Sequence, residues 1–454
     1  MIGVIGVILS LILLIILVFK RWGNIPAAIV AALLAIVTNY GLTADVFRIF
    51  RYTFLGTPST DNGITGLLGF ISSYFFLLVF GALFGHVLDQ TGAAKSIAKF
   101  IAEKVGSANA ILVTMLLTSI LCYAGVAAFV AMFAVYPIAI HLIKDAKLPR
   151  KYLCGAYYAG LTAINTLPGS SHLYNTIPTD FLGTNIFSAP LLGIYSFIGK
   201  FLLAYLYLTW SSRRAMSKGE VFQINEAVDG PQLKKGLENS EKECNVGLAV
   251  ISPILTVGLS LIFTKTIVAA KVISANDSVG LALLISSLYA LIVFRQNVDT
   301  DPIKIITQGI QKGFGPLFLT GAVVGYGSVI AATPAYNSFL NFATSLDLNP
   351  YFSAIIAVNV ICGITGSGSG GLRIFMQTAA ERFVATGVNP AAFHRICAMA
   401  AGGLDSLPHN GTIITTQEVM GSNYKESYWT LFVVSVIIPL IVVCVGAVIA
   451  MILY

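Results

Sequence analysis

Two long apolar stretches of this sequence are each interrupted by a cluster of polar residues. The first break is residues 165–176, NTLPGSSHLYNT, and the second break is residues 405–412, DSLPHNGT. Pro and Gly interrupt a helix and free backbone N–H and C=O groups among hydroxyls, amides and imidazoles. Such a concentration of polar groups is hard to explain by packing alone and is typical of a substrate or ion path. An ordinary loop at a membrane surface is the alternative.

Two ionisable residues of the second half suggest specific chemistry. Arg373 follows the glycine-rich segment 363–372 at predicted mid-depth, where a guanidinium is costly unless it is paired. A substrate carboxylate would be a planar, bidentate partner, with a protein carboxylate or water as the alternative. Asp405 is the acid of the second break, whereas its counterpart in the first break, Asn165, is neutral. This asymmetry indicates a coupling-ion site where Asp405 carries a proton or binds Na⁺, with helix capping as the alternative.

Three other polar residues lie in or near the breaks. His409 and His172 could titrate near neutral pH or donate to an anion, and a neutral structural hydrogen bond is the alternative for each. Lys200 interrupts the apolar last span of the first half. Because Lys200 lies outside both breaks, we interpret it as a snorkelling side chain or a subunit contact.

The elements that position these residues are expected to lie in a membrane. Of the 454 residues 56% are hydrophobic and 10% charged, with a mean hydropathy of +0.84, whereas soluble domains carry about 25% charged residues. Residues 2–19 contain one polar side chain, Ser10, and as a helix they span roughly 27 Å, close to a bilayer's hydrocarbon thickness. They end in Lys20-Arg21 rather than at a small-residue cleavage site, so we expect a retained first span. The predicted fold class is an all-α polytopic membrane protein.

Several other classes are disfavoured by motifs that the sequence lacks. The six cysteines are scattered without CxxC, so neither a disulfide framework nor a zinc site is indicated. HExxH, GxSxG and P-loop motifs are absent, which argues against an intramembrane enzyme and an ATP-driven pump. The net charge of +7 fits cationic cytoplasmic loops better than nucleic-acid binding. We therefore expect no nucleic-acid partner and no cofactor beyond H⁺ or Na⁺ as coupling ion.

Two similar halves flank one long polar segment. Asn165–Pro168 aligns with Asp405–Pro408 at an offset of about 240 residues, and Cys122 aligns with Cys362 at the same offset. Similarity at one shared offset indicates an internal repeat. We predict an N-terminal repeat at residues 1–210, a cytoplasmic linker at 211–246 and a C-terminal repeat at 247–454.

Loop charges predict how these halves are oriented. Basic loops are usually cytoplasmic. An odd number of crossings in the first half places three basic segments there, namely Lys20-Arg21, the loop 144–151 and the linker. The second half is then inverted and both termini lie outside, an arrangement found in secondary transporters. We expect a multi-pass protein of the inner (plasma) membrane.

Each half also contains a short apolar hairpin, with its tip at residues 122–126 or 363–373. The arms of about 13–18 apolar residues are marginal for a full crossing, which favours re-entrant hairpins. The second tip formally contains GxGxxG (Gly366, Gly368, Gly371), but no βαβ unit surrounds it, so a dinucleotide site is not indicated. We predict that this tip cradles substrate, with close helix packing by small residues as the alternative.

The sequence resembles the gluconate permease (GntP) family of the ion transporter superfamily over nearly its whole length. The resemblance is carried by residues 370–373 (GGLR), 393–395 (FHR), 402–411 (GGLDSLPHNG), 167–169 (LPG) and 175–179 (NTIPT). It implies a secondary symporter of small hydroxycarboxylates such as gluconate or 3-hydroxybutyrate, usually driven by protons. It further implies a homodimer of scaffold and transport domains that works as an elevator, with residues 89–106 and 333–350 as arms between the domains.

Together, the residues and the resemblance define the predicted site. The predicted substrate-binding residues are Ser367, Gly368, Ser369, Arg373, Ser170, Ser171, Asn175, His409, Asn410 and Thr412. The predicted coupling-ion residues are Asp405, Asn165 and His409, with no firm metal site beyond possible Na⁺ at Asp405. The predicted function is organic-anion symport, and the alternative is a cation/proton antiporter of the same superfamily. An antiporter needs acids that alternate between Na⁺ and protons, and only Asp405 is well placed for this.

Overall fold

The computed structural model describes residues 2–20, 22–56, 66–105, 109–123, 128–170, 172–224, 244–268, 270, 272–298, 300–344 and 348–454. Within these ranges every regular element is helical. The first half contains α1 (Ile2–Phe19), α2 (Asn24–Tyr40), α3 (Val46–Phe50), α4 (Gly66–Gln90), α5 (Ala93–Val105), α6 (Ala110–Tyr123), α7 (Ala128–Asp145), α8 (Lys151–Ile164), α9 (Leu173–Thr176), α10 (Thr179–Leu182) and α11 (Pro190–Ser217). The second half contains α12 (Val246–Phe263), α13 (Ala275–Val293), α14 (Pro302–Ala331), α15 (Pro334–Thr344), α16 (Pro350–Thr365), α17 (Gly368–Thr378), α18 (Ala380–Val384), α19 (Pro390–Ala400), α20 (Gly411–Val419), α21 (Tyr424–Phe432) and α22 (Ile438–Leu453). Short π- or 3₁₀-helical turns lie at Arg51–Leu55, Thr264–Val268, Arg295–Asn297, Leu404–Ser406 and Val433–Ile437.

Several of these helices have the length and composition of membrane spans. Within the described ranges, five helical segments are long and apolar enough to cross a bilayer, namely Gly66–Gln90, Pro190–Ser217, Asn276–Val293, Pro302–Ala331 and Tyr424–Leu453. Shorter apolar helices, including α1, α2 and α16, accompany them. The prediction of an all-α protein with several apolar, membrane-type helices is confirmed.

Helix contacts divide the described chain into two groups. In the first group, α4 packs along α13 and α14, and α2 packs against α1 and α14. The buried face of α2 is made of alanines, whose small side chains let neighbouring helices approach closely. In the second group, α8 packs against α6, α11 and α21, while α16 packs against α17 and α19. The two groups meet where α7 contacts α4 and where α20 contacts α14.

The order of helices in the first half recurs in the second. A shift of about 240 residues carries α6 onto 350–363, which α16 covers, and carries α7 onto 368–385, which α17 and α18 cover. The same shift places α4 inside α14 and α5 beside α15. The similarity seen in the sequence therefore extends to the positions of the helices.

Both breaks lie mainly between helices. α8 ends at Ile164, and eight non-helical residues separate it from the short helix α9, which begins at Leu173 within the first break. In the second half, α19 ends at Ala400 and α20 begins at Gly411, with a 3₁₀ turn at Leu404–Ser406 between them. The breaks therefore contain backbone whose hydrogen bonds are not supplied by a continuous helix, as their Pro and Gly content predicts.

The second hairpin turns at Gly366, whose positive φ of 63° suits a residue without a Cβ. Ser367 then caps α17, and its hydroxyl accepts a hydrogen bond from the N–H of Gly370 at 3.2 Å. α17 has 11 residues, which corresponds to about 16 Å, roughly half the hydrocarbon thickness of a bilayer. The tip of the first hairpin lies mostly outside the described residues, as does most of the predicted linker, although α11 continues beyond residue 211 to Ser217.

Candidate functional site

The two breaks meet in the folded chain although they are far apart in sequence. Tyr174 lies in α9, within the first break, and its hydroxyl donates to Oδ2 of Asp405 at 2.6 Å. Gly402 lies against the first break as well, since a Cβ there would approach Nδ2 of Asn165 to 3.0 Å. The two breaks are therefore in direct contact.

Asp405 is a buried carboxylate, 4% exposed. Its Oδ1 accepts from the hydroxyl of Ser406 at 3.1 Å, and Tyr174 donates to Oδ2. The hydroxyl of Tyr428 donates to the Ser406 carbonyl at 3.2 Å, and Tyr158 also interacts electrostatically with the carboxylate. Hydroxyl donors stabilise a carboxylate removed from water, because a buried charge without partners is very costly.

Lys200 reaches the same place from α11. It is 1% exposed, and its Nζ donates to Oδ1 of Asn165 at 3.1 Å. It also attracts Asp405 electrostatically. Our interpretation of Lys200 as a snorkelling side chain or subunit contact is therefore wrong. The helix turns this side chain inward, toward the first break.

Arg395, on α19, binds both the first break and the segment that follows it, and is fully buried. Its guanidinium donates to the carbonyls of Thr166 at 2.7 Å, Ile186 at 3.2 Å and Ser188 at 3.1 Å. It also donates to Oδ1 of Asn175. The sequence argument used Arg395 only as part of the family resemblance. An arginine inside the apolar helix FHRICAMA was the signal that could have identified it.

The predicted site residues of the first break are held mainly by protein contacts. The Asn175 amide donates to the carbonyls of Ser170 at 2.7 Å and Ile186 at 3.1 Å, while its oxygen accepts from Arg395. The Ser170 hydroxyl accepts from the N–H of His172 at 3.3 Å. Ser171 lies outside the described residues. Substrate binding by these residues stays a prediction.

The glycine-rich tip packs directly against both breaks. A Cβ at Gly368 would lie 2.0 Å from the hydroxyl of Tyr174, and one at Gly366 would lie 2.5 Å from Cδ2 of His409. Asn410 joins the tip to the second break, because its Nδ2 donates to the carbonyls of Gly366 at 3.2 Å and Asp405 at 2.9 Å. The glycines thus bring the tip within contact distance of Tyr174 and Asp405. The predicted residues Ser367, Ser369 and Thr412 are half-buried around this junction.

His409 is the residue of this junction whose polar atoms are least satisfied. It is 2% exposed, and within the described part of the chain neither ring nitrogen makes a hydrogen bond of good geometry, although the backbone of Gly363 and Ile364 lies close to the ring. Its ring meets the Tyr326 ring edge-on, with 6.2 Å between centroids. Buried polar atoms without partners are rare in native structures and often mark a functional site or an ordered ligand.

Arg373 lies away from Asp405, on the exposed side of α17. Its Nη2 contacts Oδ2 of Asp180 at 3.3 Å, and the two side chains are 50% and 56% exposed. Arg373 therefore pairs with a protein carboxylate in this structure. The sequence analysis gave such a pair as one alternative to a substrate carboxylate. Its contact with substrate stays a prediction.

A cavity of about 380 Å³ lies where the two helix groups meet. Its ionisable lining residues are His86 and Asp89 of α4, Lys312 of α14 and Glu418 of α20. Lys312 Nζ lies 3.3 Å from Nδ1 of His86. The sequence argument did not single out these residues. Across the residues that the structure describes, no group of three or more His, Cys, Asp or Glu is placed to hold a metal ion.

Two broken helices and a glycine-rich tip that converge on buried charges, in an all-helical chain with membrane-type spans, define a membrane transport protein. The family model described as GntP family permease matches residues 2–452. The chain belongs to this family and is a transporter of the membrane, not an enzyme.

Two curated relatives illustrate the similarity. The chain is 30% identical over 404 residues to the uncharacterized transporter YxjC of Bacillus subtilis (strain 168). The aligned region covers 82% of this chain and 85% of the relative. The chain is 22% identical over 358 residues to the inner membrane permease YgbN of Escherichia coli (strain K12). That aligned region covers 74% of this chain and 76% of the relative.

Proposed function

We propose that this permease is a secondary symporter of small organic anions, and that its substrate is a hydroxycarboxylate such as gluconate or 3-hydroxybutyrate. The supporting observation is the convergence of both breaks and the glycine-rich tip on Asp405. α17 begins at Gly368 and α20 begins at Gly411, both beside this junction, and the positive end of a helix dipole favours anions. His409 adds two buried ring nitrogens that make no hydrogen bond within the described part of the chain.

A hydroxycarboxylate matches the donors of this junction. Its carboxylate accepts from backbone N–H groups and a histidine N–H, while its hydroxyl exchanges hydrogen bonds with Ser367, Ser369 or Thr412. Arg373 is held by Asp180 at 3.3 Å in an exposed pair. Exposed pairs are weak, about 0–1 kcal/mol, so a substrate carboxylate can displace Asp180 from Arg373.

The coupling ion of the proposal is a proton on Asp405, with Na⁺ as the alternative in the experiment below. The partners of the carboxylate are the hydroxyls of Tyr174 and Ser406. A hydroxyl can both donate and accept, so each can reverse its hydrogen bond when the carboxyl gains a proton. Asn165 and His409 complete the proposed coupling-ion group.

The proposed transport cycle moves the second helix group against the first, as an elevator. α5 connects α4 of the first group to α6 of the second, and α15 connects α14 to α16 in the same way. These two helices are the proposed arms. The recurrence of helices after about 240 residues supports two repeats. The loop charges favour inverted repeats with the linker in the cytoplasm and both termini outside the inner membrane. The proposed homodimer rests on the family resemblance.

Uptake into proteoliposomes tests this proposal. Labelled 3-hydroxybutyrate and gluconate are offered under an imposed proton gradient or an imposed Na⁺ gradient, with protein-free liposomes as the control. We expect accumulation of one anion under one gradient, which names the coupling ion. Failure of both anions to accumulate under both gradients would contradict the proposal, and Na⁺/H⁺ exchange without anion uptake would indicate the antiporter.

Arg373 provides a sharper version of the same test. Arg373→Met should abolish anion uptake, whereas the matched change Arg382→Met, at another exposed arginine, should not. Loss of uptake in Arg373→Met with Na⁺/H⁺ exchange intact would show that cation exchange is the basic activity and would contradict the symport proposal.

A further inference from the structure

In its ammonium form, Lys200 would carry a charge that the hydrogen bonds around it do not satisfy. An ammonium group has three N–H donors. In the described part of the chain, the acceptor bonded to Lys200 Nζ is Oδ1 of Asn165, a neutral amide. The side chain is 1% exposed, so it is removed from bulk water. A buried charge persists only where other charges or a ligand compensate it.

The charged and titratable groups around Lys200 come from three elements. Asp405, in the second break, attracts it, and Arg395, on α19, repels it. His172, in the first break, also interacts with it. Arg395 is bound to the carbonyls of Thr166, Ile186 and Ser188. The compensating charge for Lys200 is therefore Asp405.

Lys200 and Asp405 attract each other electrostatically, but each is hydrogen-bonded to another residue. The bonding partner of Lys200 is Asn165, and one carboxylate oxygen of Asp405 is taken by Tyr174. Tyr158, Tyr428 and Cys362 also face the carboxylate, and these groups are uncharged as phenols and a thiol. The net charge of this cluster therefore depends on the negative charge of Asp405 and the positive charge of Lys200.

A cation that binds Asp405, whether H⁺ or Na⁺, cancels the negative charge. The ammonium of Lys200 then has no counter-charge, and the cluster attracts an anion. We propose that Lys200 is the fixed positive charge that makes cation binding at Asp405 and binding of a small carboxylate at the junction of the breaks interdependent. This inference rests on the proposed symport and supplies its coupling, with one cation moving for each monocarboxylate.

The coupling is reciprocal by linkage, so each ligand raises the affinity for the other by the same factor, typically about 5–150-fold. In the wild-type protein, carboxylate affinity should therefore rise at least about tenfold as the coupling cation is raised to saturation. Binding of the carboxylate should also take up one cation, measured as proton uptake in weakly buffered solution or as bound Na⁺.

Two variants test the role of Lys200. Asp405→Asn imitates the cation-loaded carboxyl, so it should bind labelled 3-hydroxybutyrate or gluconate tightly and without dependence on the cation. Lys200→Met/Asp405→Asn should bind the same anion about tenfold or more weakly, again without cation dependence. Lys218→Met, an exposed lysine at the end of the same helix, should behave as the wild type.

The paired variant removes both charges and leaves no uncompensated ion, so it avoids the destabilisation expected from Asp405→Asn alone. Size-exclusion elution and thermal unfolding in detergent confirm folding before binding is measured. If the paired variant binds the anion as tightly as the cation-saturated wild type, Lys200 adds no affinity for the carboxylate and the inference is refuted, even if Asp405→Asn fails to fold. A wild-type protein that transports neither anion would overturn the proposed function, and this inference with it.

Discussion

Replacing Arg395 by methionine should destabilise the protein, because this side chain organises the backbone after the first break. The guanidinium is fully buried and donates to three carbonyls and one side-chain amide. All four acceptors lie between residues 166 and 188, in a region whose helices are short. Arg395 thus replaces the hydrogen bonds that a continuous helix would have supplied.

The size of the effect follows from the acceptors that remain. Methionine retains much of the apolar volume of Arg395 but removes the donor to the Thr166 and Ser188 carbonyls. The Ile186 carbonyl keeps the N–H of Gly169 and the Asn175 amide, and Asn175 Oδ1 keeps its contact with His394. Each buried acceptor left unsatisfied costs about 1–3 kcal/mol. Relief from burying the guanidinium offsets part of this cost, so we expect a net loss of about 3 kcal/mol. Arg395→Lys should be intermediate, because a single ammonium cannot reproduce the planar fork of donors.

Arg373→Met is the matched control, the same substitution at an exposed arginine. Its pair with Asp180 is half-exposed, and such pairs contribute about 0–1 kcal/mol. Thermal unfolding in detergent, followed by the fluorescence of the three tryptophans, should show a lower midpoint for Arg395→Met and an unchanged midpoint for Arg373→Met. Anion uptake should be lost in both. An Arg395→Met protein with the wild-type midpoint would refute the organising role of Arg395.

Three further substitutions test the junction of the breaks. Tyr174→Phe removes the 2.6 Å hydrogen bond to Asp405 and should alter the dependence of uptake on the coupling cation while the fold persists; unchanged cation dependence would contradict this. Gly368→Ala places a Cβ 2.0 Å from the Tyr174 hydroxyl and should reduce uptake at least about tenfold, whereas Gly315→Ala, which has open space around it, should leave uptake unchanged. Asn410→Ala removes a helix cap and the bridge from the second break to the glycine-rich tip and should lower stability by about 1–2 kcal/mol in the same unfolding assay.

The local pattern of the sequence was enough to predict the kind of protein and the places where its helices stop. Long apolar runs predict membrane helices, because a backbone exposed to lipid must make its hydrogen bonds within the segment, as a helix does. The Pro and Gly residues of the two breaks interrupt helices wherever they occur, and α8 and α19 do end beside them. The family could also be identified, because its motifs are contiguous in the chain.

Which polar residues meet could not be predicted, because the contacts join distant parts of the chain. Tyr174 and Asp405 are separated by 231 residues, and Arg395 and Asn175 by 220. The direction of a helical side chain depends on how its helix is rotated in the packed structure. Lys200 shows this dependence, since a snorkelling and a buried lysine look alike in sequence.

Residue type also did not reveal which polar side chains form hydrogen bonds within the protein. Asn175 and Asn410 resemble ligand-binding residues in sequence, yet both amides are bonded to backbone carbonyls of the breaks and the tip. His409, of similar polarity, makes no hydrogen bond of good geometry with the residues that the structure describes. The sequence by itself determined the membrane class, the family and the positions of the breaks, since these depend on neighbours in the chain. Only the tertiary structure decided the Lys200–Asp405 cluster and the role of Arg395, since these depend on helices that pack together.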